Sequence, residues 1–244
     1  MLRVYRDSAS DGPTNMARDE HLLNCNVVQP ASVRIYGWNP PTISLGCFQR
    51  FARTADLPED LRGLAIVRRS TGGGAILHDR EVTYCLVMDD SVAVARESPS
   101  AAYRMVHECW RGALAESGIV TELAPDSFPM PSPRSGPLFC FEEPGRADLL
   151  LDGVKLLGSS QRRSGGRVLQ HGSLLLGRRF ASHPGGHLND PAGEAVAAWT
   201  DAFLRRLAEQ LGLTPRESDW TCDQLTDVAR RRVRYADDAW TRRR

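Results

Sequence analysis

Arg68-Arg69-Ser70-Thr71-Gly72-Gly73-Gly74-Ala75-Ile76-Leu77-His78-Asp79 is the stretch on which the fold of this chain turns. The apolar run before it, Leu64 to Val67, predicts a strand, and so do Ala75–Asp79 and Val82–Met88 after it. A glycine triplet between strands lets backbone approach a ligand closely with its N–H groups exposed. The adjoining arginines, Arg69 in particular, suit a phosphate or a carboxylate. This is not a P-loop, because no Gly-Lys-Ser/Thr follows, and it lacks GxGxxG spacing. Glycine triplets alone more often mark tight hairpins. Arg-Arg on one side and His78-Asp79 on the other favour a binding loop, with Gly72, Gly73, Gly74 and His78 as candidate lining residues.

Downstream, Asp152-Gly153 sits between apolar runs in ADLLLDGVKLLGSSQRR, a strong hairpin signal. Lys155 follows two residues after the turn. The 244 residues hold 31 Lys+Arg against 30 Asp+Glu, and Lys155 is the single lysine, so the other 30 are arginine. Arginine replaces lysine wherever charge alone is needed, but not where a compact titratable amine is required. Alternation places Lys155 and Leu157 on one face and Val154 and Leu156 on the other. On a half-buried strand, desolvation is expected to lower the lysine pKa and fit it for proton transfer. An arbitrary strand lysine would instead face solvent; the lone-lysine count argues otherwise. Gly158 and His171, on this strand and the next, complete the candidate set.

Six cysteines (25, 47, 85, 109, 140 and 222) show no CxxC spacing, which predicts free thiols in a reducing cytosol and no metal site. Most fall within expected helices or strands, where inert packing is the norm. Cys140 differs. It follows a stretch with five prolines, residues 125–137, read as an ordered loop or a lid, and it precedes the lysine hairpin. A thiol of pKa about 8.5 becomes nucleophilic beside a cation, and Lys155 is the candidate.

Helices are expected near 13–27, 98–117, 193–211 and 219–239, with further strands at 31–38, 42–48, 118–124 and 168–175. This predicts an α+β domain, a mixed sheet with flanking helices. No composition break marks a second domain, and residues 213–244 read as a C-terminal helical extension to residues 1–212. The basic stretch 229–234 reads as a solvated helix face. A net charge of +1 gives no nucleic-acid footprint. No run approaches the roughly 20 apolar residues of a membrane span, and the first residues lack a secretory pattern.

TNMARDEHLL, VRIYGWNPPTISLGCFQ, VRRSTGGGAILHDREVTYCLV, DGVKLLGSSQRR and LQHGSLLL together resemble the biotin/lipoyl protein ligase and octanoyltransferase superfamily, from the amino terminus to about residue 212. The resemblance implies a mixed sheet forming an acyl-binding cleft lined by the Arg-Arg-x-x-Gly-Gly-Gly segment, with Lys155 at the activated acyl group. Biotin ligases usually show a GRGR-type loop, absent here. ATP-dependent lipoate ligases usually carry an accessory C-terminal domain. One octanoyltransferase branch instead has a nucleophilic cysteine in a Cys-Phe pair ahead of the lysine strand, as in Cys140-Phe141. The other branch places its cysteine after the His-Gly strand, and this chain has none between 141 and 221.

The resemblance thus implies an octanoyltransferase of lipoate biosynthesis, in the cytoplasm. Its Cys140 thiolate takes an octanoyl group from acyl carrier protein and passes it to a lysine of a lipoyl domain, in the glycine cleavage H protein or a dehydrogenase E2. Lys155 assists proton transfer, backbone N–H groups near Gly72–Gly74 or near Cys140 hold the oxyanion, and no cofactor is needed. A monomer is expected. The alternatives are an ATP-dependent lipoate ligase, an octanoyl amidotransferase working from H protein to E2 domains, and a non-catalytic acyl-binding module.

Overall fold

The computed structural model describes residues 1–25, 30–129 and 136–244. The strands are β1 (Leu2–Arg6), β2 (Ala31–Tyr36), β3 (Thr42–Leu45), β4 (Ala65–Arg68), β5 (Ile76–His78), β6 (Glu81–Asp89), β7 (Glu122–Leu123), β8 (Leu149–Leu151), β9 (Val154–Ser164), β10 (Arg167–Leu175) and β11 (Pro215–Glu217). The α-helices are α1 (Gly12–Asn24), α2 (Pro99–Ala115), α3 (Gly193–Leu211), α4 (Cys222–Ala236) and α5 (Asp238–Thr241). An eight-stranded mixed sheet runs β11-β1-β2-β6-β10-β9-β8-β7, and a three-stranded sheet runs β4-β3-β5.

Period-2 alternation gives the large sheet two apolar faces. Val4, Val33, Tyr84 and Leu86 join the α2 and α3 side chains in one core; Trp110 of α2 stacks on Phe203 of α3 at 4.1 Å. Tyr5, Tyr36, Cys85 and Val87 face the other way, onto Met16 and Ala17 of α1 and Val228 and Tyr235 of α4. The α2 start is as expected: Ser98 accepts from Ala101 N, and Pro99 occupies the first turn. For α1 the cap is Asp11, which accepts from Thr14 N. The α1 residues expected at 26 and 27 lie outside the described residues, as do residues 130–135 of the proline-rich stretch.

Residues beyond 212 include β11, which pairs parallel to β1, and α4, which packs on α1. The strand expected at 42–48 ends at Leu45. The strand expected at 118–124 shortens to Glu122–Leu123. The basic stretch of α4 is not a plain solvated face: Arg231 and Arg234 pair with Glu20, and Arg232 with Asp11. No helix among the described residues is long and apolar enough to cross a membrane.

Candidate active site

The Asp152-Gly153 turn forms as predicted. Leu151 pairs with Val154, and both turn residues have positive φ, 51° and 76°, the type I′ pattern. Beyond the turn a bulge interrupts the alternation: Leu150 pairs with Lys155 but Leu149 pairs with Leu157. Leu156 and Leu157 therefore both join the core, while Lys155 lines a cavity of about 310 Å³. The expected sharing of one face by Lys155 and Leu157 does not survive the bulge.

Cys140 reaches the same cavity from the other side. Its segment is stitched to the strand after the glycine triplet, Ala75 N donating to Leu138 O (2.9 Å) and Cys140 N to Ala75 O (2.8 Å). That engagement removes the Cys140 N–H from the possible oxyanion donors. A Cβ on Gly74 would lie 3.0 Å from Cys140 N, so this close approach needs glycine.

Lys155 Nζ lies 3.3 Å from Cys140 Sγ, 2.9 Å from Cys140 O and 2.7 Å from Asp148 Oδ2. Its three ammonium protons have three acceptors. The side chain is 3% exposed. Burial works against the charge, but the Cys140 sulfur and the Asp148 carboxylate outweigh it and hold the lysine pKa above its ordinary value. The desolvation-lowered lysine expected from sequence is thus corrected: neighbouring negative charge wins over burial. Gly158 stands where a Cβ would come within 2.3 Å of Lys155 Cε, so this glycine makes room for the lysine and does not line the cavity.

The glycine loop is held from beneath by Arg69. Its Nη2 donates to Gly72 O (2.7 Å) and Gly74 O (2.6 Å), its Nη1 to Ser44 O and Oγ, and its Nε to Thr71 Oγ1. All five N–H groups are engaged within the chain, leaving none for a phosphate or carboxylate. Its role is to shape the loop, not to touch a ligand. Burial lowers its pKa to about 10, so it remains charged at neutral pH.

Two relays steady that buried cation. Ser44 Oγ meets His78 Nε2 at 2.8 Å, and His78 Nδ1 meets Glu81 Oε1 at 2.8 Å. Thr71 Oγ1 meets His171 Nε2 at 2.7 Å, and His171 Nδ1 meets Asp19 Oδ2 at 3.0 Å. Burial would raise both carboxyl pKa values, but the hydrogen bonds and positive charges around Asp19 and Glu81 bring each below its ordinary value. Each carboxylate fixes its histidine's tautomer, and each hydroxyl accepts from Arg69. His78 and His171, candidates for acyl contact from sequence, therefore lie behind the loop and do not line the cavity. Gly72, Gly73 and Gly74 do line it, with Phe48, Tyr103, Phe139, Asp148, Ser159 and Gln161 among their neighbours. The six cysteines are free thiols.

A model of the lipoyl protein ligase A/B catalytic domain matches residues 11–203. The chain belongs to this family. Octanoyltransferase LipM of Kyrpidia tusciae is 33% identical over 99% of this chain and 98% of its own length. Octanoyltransferase LipM of Geobacillus kaustophilus is 39% identical over 66% of this chain and 60% of its own length. Among solved structures, lipoate-protein ligase A bound with ATP superposes with TM-score 0.76 at 16% identity, covering 99% of this chain and 97% of that one. The bi-partite lipoate protein ligase of Thermoplasma acidophilum gives 0.73 at 16% identity, over 99% and 95%. These two likenesses establish the lipoyl ligase fold.

Within this lipoyl ligase A/B domain, sequence reasoning overlooked Asp148, Tyr103 and His107, and gave Ser159 of the lysine strand no role. Asp148 follows Ala147 at the head of the hairpin, seven residues before Lys155, and a carboxylate so near a lone lysine was a usable signal. His107 sits on the apolar face of α2, where nothing local separates it from a packed histidine.

Proposed function

We propose that this chain is an octanoyltransferase of lipoate biosynthesis that works through a Cys140 thioester. The octanoyl group comes from acyl carrier protein and goes to a lysine of a lipoyl domain, in the glycine cleavage H protein or a dehydrogenase E2, in the cytoplasm. The observation that carries the reading is Lys155 Nζ at 3.3 Å from Cys140 Sγ, in the wall of a cavity of about 310 Å³.

Lys155 is a fixed ammonium in this reading. It stabilises the thiolate when Cys140 attacks the donor thioester and again when sulfur departs. Asp148 holds the ammonium in place and keeps it protonated. The Gly72–Gly74 backbone supplies N–H groups at the cavity wall for the oxyanion. Phe48, Tyr103, Pro137 and Phe139 give the acyl chain an apolar bed. Six buried methylenes at ~0.8 kcal/mol each favour octanoyl over short acyl groups by ~5 kcal/mol. No nucleotide and no metal takes part.

Intact-mass measurement after incubation with octanoyl-carrier thioester, without ATP, tests the reading. One octanoyl group should add to the chain, and none to Cys140→Ala. An adduct retained in Cys140→Ala sinks the nucleophile assignment. Activity that needs ATP and free acid, and ignores Cys140, identifies a ligase. Separate acceptor assays with H protein and E2 domains distinguish the octanoyltransferase from the amidotransferase.

A further inference from the structure

The acyl-transfer reading leaves one proton without a carrier, and the inference here rests on that reading. When the acceptor amine attacks the Cys140 thioester, a C–N bond forms, the C–S bond breaks, and nitrogen must lose a proton. Lys155 cannot take it, because its ammonium already holds three protons engaged with Cys140 and Asp148. Asp148 is committed to Lys155 and, at 2.7 Å, to Gly145 N.

Ser159 lines the same cavity. Its Oγ lies 2.5 Å from His107 Nε2, and His107 Nδ1 lies 2.6 Å from Ala147 O. A carbonyl can only accept, so Nδ1 carries the imidazole proton and Nε2 presents a lone pair. The Ser159 hydroxyl therefore donates to Nε2. Behind it, Gln161 Nε2 donates to Gln170 Oε1 (2.8 Å), Gln170 Nε2 to Tyr84 OH (2.8 Å), and Tyr84 OH to Ser159 Oγ (2.5 Å). Every proton in the row points toward Ala147. Ser159 keeps one lone pair for a donor in the cavity.

The groups facing His107 are Asp148, which favours its charge, Lys155, which opposes it, the neutral phenol of Tyr103 and the Ser159 hydroxyl. Burial dominates and lowers the imidazole pKa to about 4, so the ring rests neutral.

We propose that Ser159 accepts the acceptor amine's proton while passing its own to His107, so that this pair, and not Lys155, is the base of the transfer step. The sulfur departs as a thiolate held by Lys155. The buried imidazolium then gives that proton to solvent, so the ring is neutral again before the next acylation. In that acylation the carrier thiolate leaves beside the Lys155 ammonium and takes its proton from water.

Single-turnover transfer from octanoyl-Cys140 to a lipoyl domain, measured from pH 6 to 9 in His107→Gln and Ser159→Ala, tests this. Transfer should fall about 10²–10³-fold, acyl-enzyme should accumulate, and the rate should become dependent on buffer-base concentration. The unsubstituted chain should show no such dependence. Alkylation of Cys140 by iodoacetamide should stay within about threefold, showing that the Cys140–Lys155 pair is intact. Transfer within about threefold of the unsubstituted rate overturns the proposal. So does an equal loss of acylation and transfer without buffer dependence, the mark of a purely structural role. Should His107→Gln fail to fold, Ser159→Ala decides by the same readouts. An unsubstituted chain that never forms the Cys140 adduct defeats the acyl-transfer reading itself, before any variant is made.

Discussion

Arg69 and Lys155 are both buried cations within the same small region, and they are built for opposite purposes. Arg69 is 1% exposed, touches no carboxylate, and directs all five N–H groups to backbone and hydroxyl oxygens of its own loop. Lys155 is 3% exposed and directs its three protons to a carboxylate, a carbonyl and a thiol sulfur. A planar, weakly hydrated guanidinium organises backbone; a compact ammonium beside sulfur stabilises a charge that appears and disappears. In a chain with 30 arginines, lysine persists at the position where a fork cannot replace a point charge.

Removing the sulfur should break the pair most severely. Cys140→Ala is expected to lose at least about 10⁴-fold in transfer turnover, and a milder loss would mean the thioester is not on the main path. Lys155→Arg keeps the charge and should lose about 10²–10³-fold in the same assay, because the longer fork meets Asp148 and the Gly158 backbone in the wrong geometry. Normal turnover would show that charge alone suffices and that Lys155 is an accident of composition.

The reciprocal change, Arg69→Lys, should act on the fold before the chemistry. A lysine offers three donors against five acceptors, so unfolding should become easier by about 3 kcal/mol in urea titration. Retained stability together with lost Cys140 acylation would reverse the roles assigned to the two cations.

Acid should affect the molecule through His107. Its folded pKa of about 4 lies below the ordinary 6.5. Above pH 6.5 the ring is neutral in both folded and unfolded states and contributes nothing. Between pH 6.5 and 4 the unfolded chain takes up a proton that the fold refuses, so stability falls as pH falls, by up to about 3 kcal/mol. His107→Gln should flatten that part of the stability curve; an unchanged curve would mean the imidazole is not buried neutral. The smallest effect is expected at the surface: Arg232→Ala, whose pair with Asp11 is exposed, should change stability by less than about 1 kcal/mol.

Much of this was readable along the chain because it is local. The hairpin at Asp152-Gly153 needs two residues of positive φ at the turn, and the residue types declare it. The α2 cap at Ser98-Pro99 is likewise written in neighbouring residues, and so is the singularity of Lys155. The motifs around Gly72–Gly74 and Cys140-Phe141 were sufficient to name the family. The strands β1 and β11 went unpredicted, since short edge segments carry little periodicity and form by pairing with distant partners.

What the sequence by itself determined is which residues could do chemistry: a cysteine between a proline-rich stretch and the lysine hairpin, one lysine after a tight turn, and a glycine loop between strands. Only the tertiary structure decided what each does. The bulge at Leu149/Leu150 parts Lys155 from Leu157. Burial beside Asp148 and Cys140 raises the lysine pKa where burial alone would lower it. Arg69, His78 and His171 pass from ligand contacts to loop supports because each has a partner 25 to 152 residues away. Ser159 and His107, 52 residues apart, become neighbours only when α2 packs on β9. Hydrogen-bond partners and local dielectric are properties of what the fold brings together, and spacing along the chain does not contain them.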